Sequence, residues 1–365
     1  MKLKMRKMKF DALKSNSKIT HERDFFFDQI SLNKVNVKSI PGVLFSKITT
    51  EDEEKKRIEK IREEREKIII NTMNTWKTVI LPNWNNKKKS NIIKKLCWKG
   101  IPTNLRGQIW PLLLGNKVRI TEELYKICCQ RAIMATKKIE CFEEIREKTI
   151  DLIPIDICRT YPNLGFFQKG GPSHDDLRIV LEAYIGYRPD VGYVQGMSFI
   201  AAMLLLQMDS FHTFICLANI FNEAIFVTFY NFDIVKIKNY CSVHEDLLEL
   251  YFPDIYKYFT QLKIKTDMYL INWIMTLFTR SLSLEIAARI WDIYLCDGII
   301  TIFRVGLTII AYGKKFLANA DFENIMGYLN SPFDLEETTF FDVMQTYKIP
   351  SVKIREILKK YDLDS

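Results

Sequence analysis

The sequence is first informative in what it lacks. A membrane-spanning helix needs ~20 apolar residues, and the longest apolar run, Phe199 to Leu206, falls far short. The N-terminus, MKLKMRKMKF, is charged but has no apolar region of the kind that marks a secretory leader. Histidine is scarce, with four residues at 21, 174, 212 and 244. Eight cysteines are scattered at 97, 128, 129, 141, 158, 216, 241 and 296, with no C-x-x-C pair. This spacing argues against a zinc site and for free thiols in a reducing cytosol. Nucleotide loops are missing as well. Gly165 and Gly170 have phosphate-loop spacing, but Gly171 stands where Lys belongs and Pro172 follows. There is no G-x-G-x-x-G, H-E-x-x-H or G-x-S-x-G. The chain therefore lacks the usual equipment to bind a nucleotide or to run hydrolysis alone.

What is present begins with core-forming material. The 365 residues are 48% hydrophobic and 13% aromatic, which excludes wholesale disorder and collagen-like structure. The net charge of +9 is unevenly placed. Residues 1–100 carry 25 Lys/Arg against 12 Asp/Glu, a net of +13, and residues 101–365 carry 28 against 32, a net of −4. This arithmetic argues against a nucleic-acid groove through the body. The basic excess instead raises a second reading, attraction to an anionic membrane surface.

Residues 1–50 read as a basic tail interrupted by Phe25, Phe26 and Phe27. Residues 51–80 read as a charged helix: Thr50 and Glu53 form a capping box, and Glu51, Asp52 and Glu53 each precede a Lys or Arg by four residues. Pro82 and the Asn83–Asn86 cluster are expected to end it. From Cys97 onward apolar residues recur at helical spacing, as in Ile286, Ile290, Trp291 and Tyr294. Strand-like alternation is scarce and no fixed-period repeat occurs. The expected fold class is all-α, built of many short helices.

Four short segments stand out within this pattern. In Ile153-Pro-Ile-Asp156-Ile-Cys-Arg159-Thr160, Asp156 and Arg159 share a helix face, so the acid can direct the guanidinium. Taken alone, this reads as an ordinary surface ion pair. In Gly192-Tyr193-Val-Gln195-Gly196-Met197, a polar amide sits between glycines at the start of an apolar helix. An amide both donates and accepts, so Gln195 can orient a water while bonding an oxygen anion, or can simply cap a tight loop. Arg106-Gly107-x-x-Trp110 and Arg289-Ile-Trp291-Asp292 place Trp on apolar helix faces and read as architecture. A buried indole N–H needs a partner, which Asp292 or a backbone carbonyl can provide.

In this order, R-G-x-x-W at 106–110, I-x-x-D-x-x-R at 153–159, Y-x-Q-G at 193–196 and W-D followed by Gly at 291–298 resemble the TBC domain of Rab GTPase-activating proteins. The resemblance covers about 95–330 and extends to 365, with 331–365 as a helical C-terminal extension. It implies a V-shaped, two-lobed helical domain whose groove receives a Rab small GTPase in its GTP form. It also implies that Arg159 is an arginine finger and Gln195 a glutamine finger supplied in trans. Asp156, Thr160, Tyr193, Gly196, Arg106 and Trp110 would support them. GTP and Mg²⁺ would come with the GTPase, so the chain needs no cofactor of its own, and it would be an activator rather than an enzyme. The setting implied is cytoplasmic, with recruitment to vesicle or endomembrane surfaces. The rival reading is a Rab-binding scaffold without catalysis.

Overall fold

A computed structural model describes residues 67–136, 148–330, 335–347 and 349–363. The expected tail at 1–50 and helical residues 51–66 lie outside them. Two compact units emerge. The described part of the first is 67–89 and 101–105; the second comprises 90–100 and 106 onward. In the first unit a helix over 67–75 passes into a wider turn, Trp76–Ile80, whose Trp76 and Ile80 are buried. Pro82 sits in a single tight turn, Leu81–Asn83. The helical run that reaches Ile80 stops at this turn, as expected of Pro82 and the asparagines; Asn83 leaves the helical conformation, at φ −116° and ψ 27°, and a separate short helix, Trp84–Lys87, follows.

The second unit is helical throughout, with no strand among the described residues. Its first helices are α1 (Asn91–Lys99), α2 (Thr103–Leu114, begun in the first unit), α3 (Glu122–Thr136), α4 (Leu152–Arg159) and α5 (His174–Tyr187). These lead to α6 (Met197–Leu205), α7 (Ser210–Ile220), α8 (Ala224–Tyr230), α9 (Ile234–Tyr251), α10 (Pro253–Gln261) and α11 (Asp267–Met275). The chain closes with α12 (Leu284–Asp297), α13 (Ile299–Tyr312), α14 (Phe322–Asn330), α15 (Glu337–Tyr347) and α16 (Ser351–Lys360). Starts are marked by side-chain caps: Asp209 accepts from the N–H groups of Phe211 and His212, Asp233 from Lys236, and Ser283 from Ile286. Gly298, at φ +64°, ends α12 and opens α13 without a break.

The apolar run noted in the sequence is the heart of this unit. All nine residues of α6 are buried, and α6 packs on α5 and α7. Burying one Leu, Ile, Phe or Met side chain contributes about 1.5–3 kcal/mol, so α6 anchors its neighbours. No single helix among the described residues is long and apolar enough to cross a membrane.

Two buried carboxylates on α12 fasten other helices to it. Asp292, wholly buried, accepts from Arg106 Nε and Nη2 (3.1 and 2.9 Å) and from the Trp110 indole (2.8 Å) of α2. The Trp110 and Trp291 rings stack at 5.3 Å. Losing one partner of such a pair strands a charge at a cost of about 3–5 kcal/mol. Gly107 lets α2 come close, because a Cβ there would stand 2.1 Å from the Gln207 carbonyl oxygen. Asp297 similarly meets Lys94 (2.8 Å), Arg304 (3.2 Å) and the Trp98 indole (3.1 Å).

His244 on α9 is wholly buried, between Tyr269 and Trp273 of α11 and beside Gly306 of α13. Neither ring nitrogen has a hydrogen-bond partner among the described residues. Burial lowers its pKa from 6.5 to about 3, so the folded chain holds the imidazole neutral. A depressed folded value means this contribution to stability is full above pH 6.5 and is lost as pH falls toward 3. We expect the native chain to lose about 1.4 kcal/mol more per pH unit than His244→Leu between pH 6 and pH 4. Urea denaturation of both proteins across that range checks this; parallel pH profiles would contradict it.

Candidate functional site

The site is assembled around α4. Ile153, Asp156 and Ile157 form its buried side, and Arg159 is its last residue, where a cation suits the helix dipole. The next residues turn sharply: Thr160 is extended and Tyr161 is held at φ +44° before Pro162. Gln168 Nε2 donates to the Thr160 carbonyl (3.3 Å), so the loop before α5 braces the chain just after Arg159.

Asp156 is only 2% exposed, yet its carboxylate is fully engaged. Oδ2 accepts from the Tyr193 hydroxyl (2.5 Å), the Gly196 N–H (2.9 Å) and the Ser198 hydroxyl (2.9 Å). Oδ1 faces the Arg159 guanidinium at 3.5 Å. Thr160 Oγ1 lies 2.7 Å from Ser198 Oγ and 2.8 Å from the Asp156 carbonyl oxygen, which extends the network to the backbone of α4. Burial first, and the adjacent Asp156 carboxylate second, hold the Tyr193 phenol above its ordinary range, so it remains a donor.

The loop carrying Gln195 is thereby tied at both ends. The Tyr193 N–H donates to Thr149 Oγ1 (2.6 Å) in the turn before α4, and the Gly196 N–H donates to Asp156. Glycine suits position 196 for its backbone first and its close quarters second. It stands at φ +103°, and a Cβ there would approach Thr276 Cγ2 to 3.2 Å. Between these tethers Gln195 is exposed, and the Arg159 side chain is 54% exposed. The result is two presented side chains, a cationic fork and an amide, each held by a rigid base. Such a pair can be offered to another molecule's reacting atoms.

Of the residues expected from sequence, the structure brings together Asp156, Arg159, Thr160, Tyr193 and Gly196, with Gln195 on the tethered loop. Arg106 and Trp110 converge on Asp292 instead, in the joint between α2 and α12. Sequence reasoning missed Ser198 and Thr149. Ser198 had a signal, being the lone polar residue of the run Met197–Leu206; Thr149 had none. No group of three His, Cys, Asp or Glu residues placed to hold a metal occurs among the described residues.

The Rab-GTPase-TBC domain model matches residues 103–318. TBC1 domain family member 14 of Homo sapiens is 39% identical over 314 residues, covering 82% of this chain and 45% of that protein. Drainin of Dictyostelium discoideum is 33% identical, covering 80% of this chain and 78% of that protein. The chain thus spans about half the length of the TBC1 domain family members it matches. Among solved structures, the Chlamydomonas flagellar RabGAP TBC domain superposes with a TM-score of 0.62 at 18% identity, over 80% of this chain and 96% of that one. The Ypt/Rab-GAP domain of Gyp1p gives 0.56 at 18% identity, over 76% and 97%.

The Asp156 network carries a direct consequence for stability. Asp156→Asn keeps the shape but offers a neutral acceptor, and hydrogen bonds to a charged group are worth about 1.5–3 kcal/mol each. We expect a loss of about 3 kcal/mol or more in urea denaturation, since three donors are affected. A loss under about 1 kcal/mol would contradict the network as described.

Proposed function

The chain belongs to the Rab-GTPase-TBC family, and from this premise we propose that it is a GTPase-activating protein that engages a Rab-family GTPase carrying GTP and supplies Arg159 and Gln195 in trans. The observation that carries this reading is that one buried carboxylate, Asp156, holds both the guanidinium of Arg159 and the loop of Gln195 while leaving the two side chains accessible.

The chemistry accounts for the residue types. Phosphoryl transfer spreads negative charge over the γ-phosphate and bridging oxygens, and catalysis consists largely of positioning and charge stabilisation. Arg159 offers a permanently charged planar fork; an ammonium would be a poorer geometric match. Gln195 can accept from the attacking water while its N–H donates to a phosphate oxygen. Asp156 is a positioning residue: it limits the freedom of Arg159 before the encounter, so less is lost on binding. GTP and Mg²⁺ belong to the GTPase in this reading, which fits a chain with no phosphate loop. The basic excess of residues 1–100 would hold the activator near an anionic vesicle surface.

Single-turnover phosphate release from GTP-loaded Rab proteins tests the reading. An arginine finger is worth roughly 10³–10⁵ in rate, so Arg159→Ala should abolish most stimulation and Arg159→Lys should not restore it. Gln195→Ala should also collapse stimulation while the fold persists. Normal stimulation by both alanine variants would rule out the two-finger assignment.

A further inference from the structure

We infer that Leu152 and Ile155, on the exposed side of α4, form the apolar foothold on which the GTPase seats when Arg159 enters its nucleotide site. This rests on the activator reading above and adds the docking residues, which the motif itself does not contain. At 3.6 residues per turn, Leu152, Ile155 and Arg159 fall within an arc of roughly 60° on α4. The buried residues Ile153 and Ile157 occupy the opposite side, and buried Asp156 lies at the boundary, within reach of Arg159. Leu152 is 46% exposed and Ile155 57% exposed, next to an Arg159 side chain that is itself 54% exposed.

The position of these residues, more than their exposure, identifies the occupant. Single exposed apolar residues are ordinary. Here, however, Ile155 lies about 6 Å and Leu152 about 10 Å along the helix axis from Arg159. A partner that receives the guanidinium must close over the last turns of α4 and take these two side chains out of water. The matching surface on the GTPase is therefore apolar and borders its nucleotide site, since a charged surface would be desolvated there without compensation. α4 cannot roll to present another side, because Asp156 is fixed by Tyr193, Gly196 and Ser198. The two branched side chains thus set how tightly, and to which apolar surface, the activator binds, while Arg159 and Gln195 set the rate once bound.

The test uses the full chain and, as probe, whichever GTP-loaded protein in a panel of purified Rab GTPases it stimulates most. Single-turnover hydrolysis is measured at increasing activator concentration, which separates the half-saturating concentration from the maximal rate. For Leu152→Ala/Ile155→Ala we expect the half-saturating concentration to rise about tenfold or more, with the maximal rate within about twofold of native. Ile155→Val should recover most of the loss. Melting temperatures should change little, since each residue is about half exposed in the free protein. An unchanged half-saturating concentration in the double variant would overturn the proposal. So would a fall in maximal rate alone, which would make these residues mere supports of α4. Arg159→Ala should show the opposite split, lowering the maximal rate. If it behaves as native, the activator reading has failed, while the half-saturation data still report on docking.

Discussion

A carboxylate taken out of water must be given donors or surrender its charge, and the way Asp156 meets that demand organises the site. Three of its donors come from one stretch after α5: the Tyr193 hydroxyl, the Gly196 N–H and the Ser198 hydroxyl. The fourth contact is the Arg159 guanidinium, one turn along α4. Each donor satisfies the same charge, so a shift of α4 unmakes bonds on the loop, and a shift of the loop exposes α4. Two segments 40 residues apart in sequence are thereby held in one register. Gln195 is exposed between the tethers of its loop, and the Arg159 side chain stays half exposed while Asp156 holds its guanidinium.

The rest of the second unit supports that register with the same device. Asp292 and Asp297 on α12 are buried carboxylates, each given an arginine and a tryptophan N–H. They tie α1 and α2 to α12, while α6, wholly buried and apolar but for Ser198, packs against α4, α5 and α7. Glycine stands where a side chain would clash or strain the backbone: Gly107 against the Gln207 carbonyl, and Gly196 at φ +103°. Positive charge is divided in the same spirit. The body is slightly acidic overall, and its exposed guanidinium at Arg159 is held by a neighbouring acid; the basic excess lies within the first hundred residues.

Much of this could be read from the sequence because it depends on short-range spacing. Asp156 and Arg159 had to share a helix face at i,i+3, and helical periodicity after Cys97 pointed to an all-α body. The partnership of Trp110 with Asp292 was accessible as chemistry, because a buried indole needs an acceptor. Long-range pairing was not accessible in that way. Nothing local says that Thr149 receives the Tyr193 N–H, and Ser198 reads as a helix residue until Asp156 is seen beneath it. The end of the helix before Pro82 was legible for the same local reason, since proline and asparagine favour turns; the short helix Trp84–Lys87 beyond it was not.

If one carboxylate positions both fingers, its contribution must appear as coupling between them. The most direct measurement is a double-mutant cycle on maximal single-turnover hydrolysis of a GTP-loaded Rab protein. It combines Asp156→Asn with Arg159→Ala and, separately, with Gln195→Ala. With Asp156 already replaced, removing either finger should cost far less than it does in the native chain, because the finger has lost its base. Fully additive costs in both cycles would contradict a shared positioning role for Asp156.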